Sequence, residues 1–314
     1  MSAVRAAWSS ASFLLYTGGI VLAFVVVWQF GALAGEWGDF GLTAWSALVA
    51  AALAAAAALA QRAGEPVLAG LLAFSAVVAV GLFVGAMEDW IGLLDDFDDS
   101  PFRGFRIGVL LLALVLFIAS LVALSRFRFP LLVLLAAATG WFFVTDLISG
   151  GGSWSAIVTL AVGLVLLLLA VSLDADPESR PYAFWLHVAA GLTIGGGLIW
   201  FFRDSDLDFV LLGVAGLGYI ALGDRLARSS WVVLGAWGLL QTTGHFATKW
   251  GGINELFFPL FYLVPIFIFG GESAFDGLET FRPWLGALIF GIYALALIAI
   301  ALLLTRRRRA LPAP

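Results

Sequence analysis

Residues Ile107 to Leu124 read IGVLLLALVLFIASLVAL, a stretch of 18 residues without a single charged side chain. A helix rises roughly 1.5 Å per residue, so about 20 such residues cross a hydrocarbon core that is about 30 Å thick. The stretch is apolar on every side, whereas a surface helix of a soluble protein keeps one polar face. It therefore predicts a helix that spans a membrane.

The rest of the chain repeats this pattern. Hydrophobic residues make up 62% of the 314 residues and charged residues 12%, which is typical of a polytopic membrane protein. Ten runs are long enough to span a bilayer, at about 12–34, 42–60, 66–87, 107–124, 130–149, 154–173, 182–202, 208–223, 231–249 and 284–304. We therefore predict an all-α, polytopic transmembrane helical bundle of about ten spanning helices, forming a single integral membrane domain over residues 1–314.

An eleventh apolar run, at 256–270, is shorter and carries Pro259 and Pro265. It is interpreted as a re-entrant hairpin, an interfacial helix or an additional span, since proline interrupts a helix. Basic residues favour the cytoplasmic side of a membrane. If the segment 256–270 does not cross the membrane, the other ten runs cross it in alternating directions. Most of the arginines and both ends of the chain then lie on the same side. We therefore predict that both termini are cytoplasmic.

Motifs for chemistry are scarce. The chain has no cysteine, and it lacks a histidine spacing typical of metal sites. Ser153 follows three glycines in a loop and does not form a nucleophile elbow. The glycine-rich segment 191–197 lies inside an apolar run without a phosphate-loop lysine, and it predicts close helix packing. These observations predict a protein that is not an enzyme and has no catalytic residue, metal site or cofactor.

Polar side chains enter the membrane mainly on the run 231–249. Gln241, His245 and Lys249 follow at intervals of four and so share one helical face. Asp146 lies between apolar residues near the end of the run 130–149. Polar groups are costly in lipid, which makes such residues functional candidates. We predict that these four residues line an outward-opening cavity and bind a substrate; the alternative is an interfacial lysine anchor, with Gln241 and His245 bonded to neighbouring helices.

Three further ionisable residues are interpreted differently. His187 lies five residues into the run 182–202 and is predicted to be a satisfied packing residue, with a proton relay as the alternative. Glu88 and Asp89 follow the run 66–87. They are predicted to be helix-end residues that reach water, with a place in an external vestibule as the alternative.

Several apolar segments carry a family resemblance. The segments YAFWLH at 182–187, 225–238, FFPL at 257–260 and RFRFPLL at 126–132 resemble bacterial multi-pass inner-membrane proteins of the DUF2157-like kind. The resemblance covers roughly the central and C-terminal parts of the chain. That family has no established activity, so the resemblance implies a helical bundle in a bacterial inner membrane.

Two classes of function remain open at this stage. The first is small-solute or ion transport through the outward-opening cavity, by alternating access of glycine-rich helices. The second is a non-catalytic accessory or scaffold subunit of a membrane protein complex, for which a homo-oligomer or other membrane proteins would be the partners. The lipid bilayer is a partner in both, and a terminal polybasic cluster favours anionic lipid over nucleic acid. That cluster consists of Arg306, Arg307, Arg308 and Arg309.

Overall fold

All regular structure in the described part of the chain is α-helical. The computed structural model describes residues 10–34, 36–93, 107–149, 153–202, 204–251 and 292, and these contain nine helices and no strand. In chain order they are α1 (Ser10–Ala34), α2 (Asp39–Arg62), α3 (Pro66–Trp90), α4 (Ile107–Phe127), α5 (Leu131–Ser149), α6 (Ser153–Asp174), α7 (Arg180–Phe201), α8 (Asp206–Leu226) and α9 (Ser229–Gly251). The predicted all-α class is confirmed.

Seven of these helices, α2 to α8, are long and apolar enough to cross a membrane. The predicted count of about ten spans is therefore wrong for the described residues. Of α1, the stretch whose side chains are described is Gly18–Ala34, which is apolar but too short by itself for a span. Helix α9 does not qualify because its second half is rich in polar side chains. The predicted span at 284–304 and the segment 256–270 lie outside the described residues. Helix length and hydropathy make the chain a multi-pass membrane protein.

The helices form two compact units, and the division falls inside α7. The first unit ends at Ile194, and the second begins at Gly195 and contains α8 and α9. A single domain over residues 1–314 stays a prediction.

Consecutive helices of the first unit from α2 to α7 run antiparallel and meet through interlocking side chains. A Cβ on Gly81 of α3 would lie 3.0 Å from the Leu116 side chain of α4. The indole Nε1 of Trp141 in α5 donates to Oγ1 of Thr159 in α6 over 3.0 Å. Such close crossings through small residues are typical of helices that associate in lipid.

Antiparallel packing sorts the charges of the first unit to its two ends. One end, which we call the arginine end, holds every described arginine of this unit: Arg62, Arg126, Arg128 and Arg180. Two hydrogen bonds connect different segments at this end. Gln61 Nε2 donates to the carbonyl of Arg126 at 3.0 Å, and the Tyr182 hydroxyl donates to the carbonyl of Arg128 at 2.7 Å. The opposite, acidic end is defined by Glu36, Asp39, Glu88, Asp89 and Asp146.

The surface of the described helices is rich in large apolar side chains. Leu48 of α2, Val122 of α4 and Leu168 of α6 are among many aliphatic residues that are exposed. The buried positions of the first unit include fully enclosed small residues such as Ala57 and Ala79. A soluble protein rarely exposes this much contiguous apolar surface, whereas lipid accepts it. The distribution of side chains therefore agrees with the multi-pass class.

In the second unit, α8 and α9 form an antiparallel hairpin with closely approaching backbones. A Cβ built on Gly235 of α9 would lie 2.5 Å from the carbonyl oxygen of Gly216 in α8. Between the two helices Ala227 adopts the left-handed conformation, with a φ of 52°, and its N–H bonds back to α8. This short connection brings the first residue of α8 next to the last turns of α9.

Candidate functional site

One carboxylate joins the two ends of the α8–α9 hairpin. Oδ2 of Asp206 accepts a hydrogen bond from Lys249 Nζ at 2.5 Å, and Oδ1 lies 3.0 Å from His245 Nε2. The side chains of His245, Asp206 and Lys249 are 25%, 46% and 49% exposed. We call these three residues the Asp206 cluster. It is a polar group that belongs to the second unit and is partly exposed.

Local sequence fixes the position of Asp206. Ser205 caps α8, because its hydroxyl accepts from the Asp208 N–H at 3.2 Å while the Asp208 carboxylate accepts from the Ser205 N–H at 2.9 Å. This capping box makes Asp206 the first residue of the helix. Lys249 lies in the last turn of α9. A carboxylate at a helix start and an ammonium at a helix end both interact favourably with the helix dipole.

Aromatic packing orients the His245 ring. The ring stacks on Phe209 of α8, with centroids 3.7 Å apart and planes inclined by 6°. It also meets Phe246 edge-on, with centroids 5.1 Å apart. Next to it, the Thr242 hydroxyl donates to the carbonyl of Phe209 over 2.8 Å. These contacts hold Nε2 toward the Asp206 carboxylate.

The structure brings together two of the four predicted site residues, His245 and Lys249. Gln241 lies on α9 one turn before His245 and is half-buried. Asp146 is half-buried in α5 and belongs to the first unit. A cavity lined by all four residues stays a prediction.

Sequence reasoning missed Asp206, the residue that holds the cluster together. A signal for it existed in the order Ser205, Asp206, Leu207, Asp208, since a serine followed three residues later by an acidic residue marks a helix start. With the short turn before α9, that start lies beside the polar end of α9.

A second histidine–aspartate pair lies in the first unit. His187 of α7 is 0% exposed, and its Nε2 lies 2.8 Å from Oδ2 of Asp174 at the end of α6. The pair is near the arginine end, where Arg180 Nε also donates to the Asp174 carbonyl at 3.4 Å. His187 is thus buried and hydrogen-bonded, which agrees with its predicted role as a satisfied packing residue.

The exposure of Glu88 differs from the prediction. It was expected to reach water at the end of its helix, yet it is 2% exposed. The reason is its place in α3, a central helix against which α1, α2, α4 and α5 all pack. The next residue, Asp89, is exposed as predicted.

Within the described ranges, no group of three or more histidine, cysteine, aspartate or glutamate side chains is arranged to hold a metal ion. Comparison of the chain with protein-family models, curated proteins and solved structures found no match. The resemblance to DUF2157-like membrane proteins stays a prediction, and the argument for function starts from the residues themselves.

Proposed function

We propose that the protein transports a small solute or ion across a bacterial inner membrane, and that the solute meets the Asp206 cluster. The observation that carries this proposal is the sharing of one carboxylate between Lys249 and His245, with all three side chains partly exposed. A solute can compete for groups that are partly exposed. The cluster therefore offers an exchangeable ionic contact at one end of the α8–α9 hairpin.

The chemistry of the cluster accommodates either sign of charge. An anionic solute would replace Asp206 as the partner of Lys249, and a cation would replace Lys249 as the partner of Asp206. His245 would hold the carboxylate in place during either exchange, because its Nε2 lies 3.0 Å from the other carboxylate oxygen, Oδ1.

The polarity of α9 also supports the proposal. Gln241, Thr242, Thr243 and His245 lie within two turns of a helix that follows the apolar helix α8. Polar side chains are rare in helices that contact lipid alone, and they commonly mark a solute pathway. Gln241 remains a proposed member of the lining.

Close glycine contacts between α8 and α9 are compatible with alternating access. Cβ atoms on Gly216 or Gly223 would meet atoms of α9 at 2.8 and 2.7 Å. Small residues leave few interlocking side chains between two helices. The proposed movement is a rocking of the hairpin that opens and closes access to the Asp206 cluster.

Charge movement in reconstituted vesicles tests the proposal. The full chain, in vesicles on a solid-supported electrode, would be exposed in turn to amino acids, sugars, organic acids, inorganic phosphate, chloride, sodium and protons. We expect at least one of these probes to give a current above that of protein-free vesicles. No current from any probe, with recovery of a stoichiometric membrane partner in mild detergent, would favour the scaffold alternative and end the transport proposal.

A further inference from the structure

Glu88 is the most enclosed acidic side chain in the described part of the chain. Its residue is 2% exposed, and neither Oε1 nor Oε2 has a hydrogen-bond partner among the described residues. Buried polar groups in proteins are nearly always hydrogen-bonded, so a carboxyl group with two unpartnered oxygens calls for an explanation. The missing partner is either a proton or a group that neutralises the carboxylate.

The described surroundings of Glu88 supply no positive charge. The helices packed against α3 are α1, α2, α4 and α5. Among the described residues, those with titratable side chains that these helices, their adjoining turns and α3 itself bring to the acidic end are all carboxylic acids: Glu36, Asp39, Asp89 and Asp146. Along α4 the described titratable residue is Arg126, which lies at the arginine end. Within the described part of the chain, an ionised Glu88 would therefore have no positive charge at its end of the unit.

An ionised carboxylate without a partner is far less stable in a protein interior than a neutral carboxyl group. We propose that Glu88 is a proton-binding site, which holds a proton in the resting protein and exchanges it with water at the acidic end. The route to water is short, because Glu88 is followed directly by the exposed residues Asp89 and Trp90. This inference does not rest on the transport proposal, since Glu88 lies in the first unit and the Asp206 cluster in the second.

Infrared spectroscopy of the full chain in lipid tests the proposal, because the carbonyl stretch of a protonated carboxyl is distinct from that of a carboxylate. At neutral pH, the Glu88→Gln variant should lose the band intensity of one protonated carboxyl group. The matched variant Asp89→Asn, which changes the exposed neighbour, should keep that intensity. An unchanged band in Glu88→Gln would show that Glu88 is ionised, for instance by an arginine outside the described residues, and would overturn the proposal.

A second measurement avoids any variant. Wild-type protein labelled with carboxyl-¹³C glutamate should show an isotope-shifted protonated-carboxyl band at neutral pH, since the other described glutamates, Glu36, Glu65 and Glu178, are exposed. The band should disappear on alkaline titration and return when the pH is lowered. Absence of the shifted band, or a band that persists at every pH at which the protein stays folded, would each contradict a site that exchanges its proton.

Discussion

His187 and Asp174 form a hydrogen bond of 2.8 Å between α7 and α6 while the histidine ring is completely buried. The bond links the last residue of one helix to the third turn of the next. A buried imidazole is costly unless a partner satisfies it, and the carboxylate of Asp174 is that partner. The pair therefore stabilises the α6–α7 crossing near the arginine end.

Replacement of His187 by alanine should destabilise the protein by about 2 to 3 kcal/mol. Interhelical hydrogen bonds in membrane proteins contribute roughly 1 kcal/mol, and the cavity left by a fully buried ring adds to this loss. Unfolding in mixed micelles would measure the change. His245→Ala is the control, because that ring is 25% exposed, and it should cost less. Equal losses for the two variants would contradict the role of burial.

The approach of Gly216 and Gly235 predicts a large effect of a single methyl group. A Cβ on Gly235 would lie 2.5 Å from the Gly216 carbonyl and 2.9 Å from the Ile220 amide, so backbone atoms would have to move. Gly235→Ala should therefore destabilise the hairpin by about 1 to 3 kcal/mol or more, as overpacking does. Gly218→Ala meets nothing within 4 Å and should be neutral or slightly stabilising. Similar unfolding curves for both variants would contradict the described crossing.

The turn between α6 and α7 carries a pH-dependent contact. A hydrogen bond from the Ser179 hydroxyl at 2.7 Å, followed by one from the Glu178 N–H, lowers the pKa of Asp176 below its ordinary value. Because the pKa is lower in the folded protein, this contribution is present above the unfolded-state pKa of about 3.9 and is lost as the pH falls through the folded value.

Ser179→Ala should raise the pKa of Asp176 toward its ordinary value, because it removes the largest cause of the shift. Carbon NMR of labelled aspartate carboxyls during an acid titration would measure it. Ser172→Ala is the matched control, since the Ser172 hydroxyl donates to the Leu169 carbonyl of its own helix. An unchanged Asp176 titration in Ser179→Ala would contradict the contact.

The natural absence of cysteine allows a direct test of orientation. The arginine end is predicted to be cytoplasmic, because basic residues favour that side. In intact bacterial cells, a membrane-impermeant maleimide should label Trp90→Cys at the acidic end. It should label Arg62→Cys only after the cells have been permeabilised. Ala57→Cys, at a fully buried position, should stay unlabelled. Labelling of Arg62→Cys in intact cells would reverse the predicted orientation.

The sequence pattern was sufficient to predict the helices α2 to α8 as spans, because a long uncharged run is stable in lipid as a helix. It overestimated α9 as a span, since the apolar first half, with residues such as Trp231 and Val232, masks a polar second half when the run is judged as a whole. The burial of Glu88 could not be read from sequence either. A residue at the end of an apolar run reaches water unless neighbouring helices extend past it. Which helices are its neighbours depends on the tertiary packing, which the run itself does not reveal.

The site was predicted in part for a related reason. His245 and Lys249 share a face because of helix periodicity, which is local information. Their partner Asp206 is 39 residues before His245, and the hydrogen bond depends on the hairpin that brings α8 beside α9. Whether Gln241 and Asp146 join the same lining stays a prediction.

The most direct test of the proposed transport is a comparison of Asp206→Asn with Asp208→Asn in the vesicle current assay. Both variants remove one negative charge from the first turn of α8, yet Asp206 alone of the two holds His245 and Lys249. We predict that Asp206→Asn reduces the solute-dependent current by about tenfold or more, which corresponds to about 1.4 kcal/mol, while Asp208→Asn retains most of it. Wild-type current in Asp206→Asn would contradict the account.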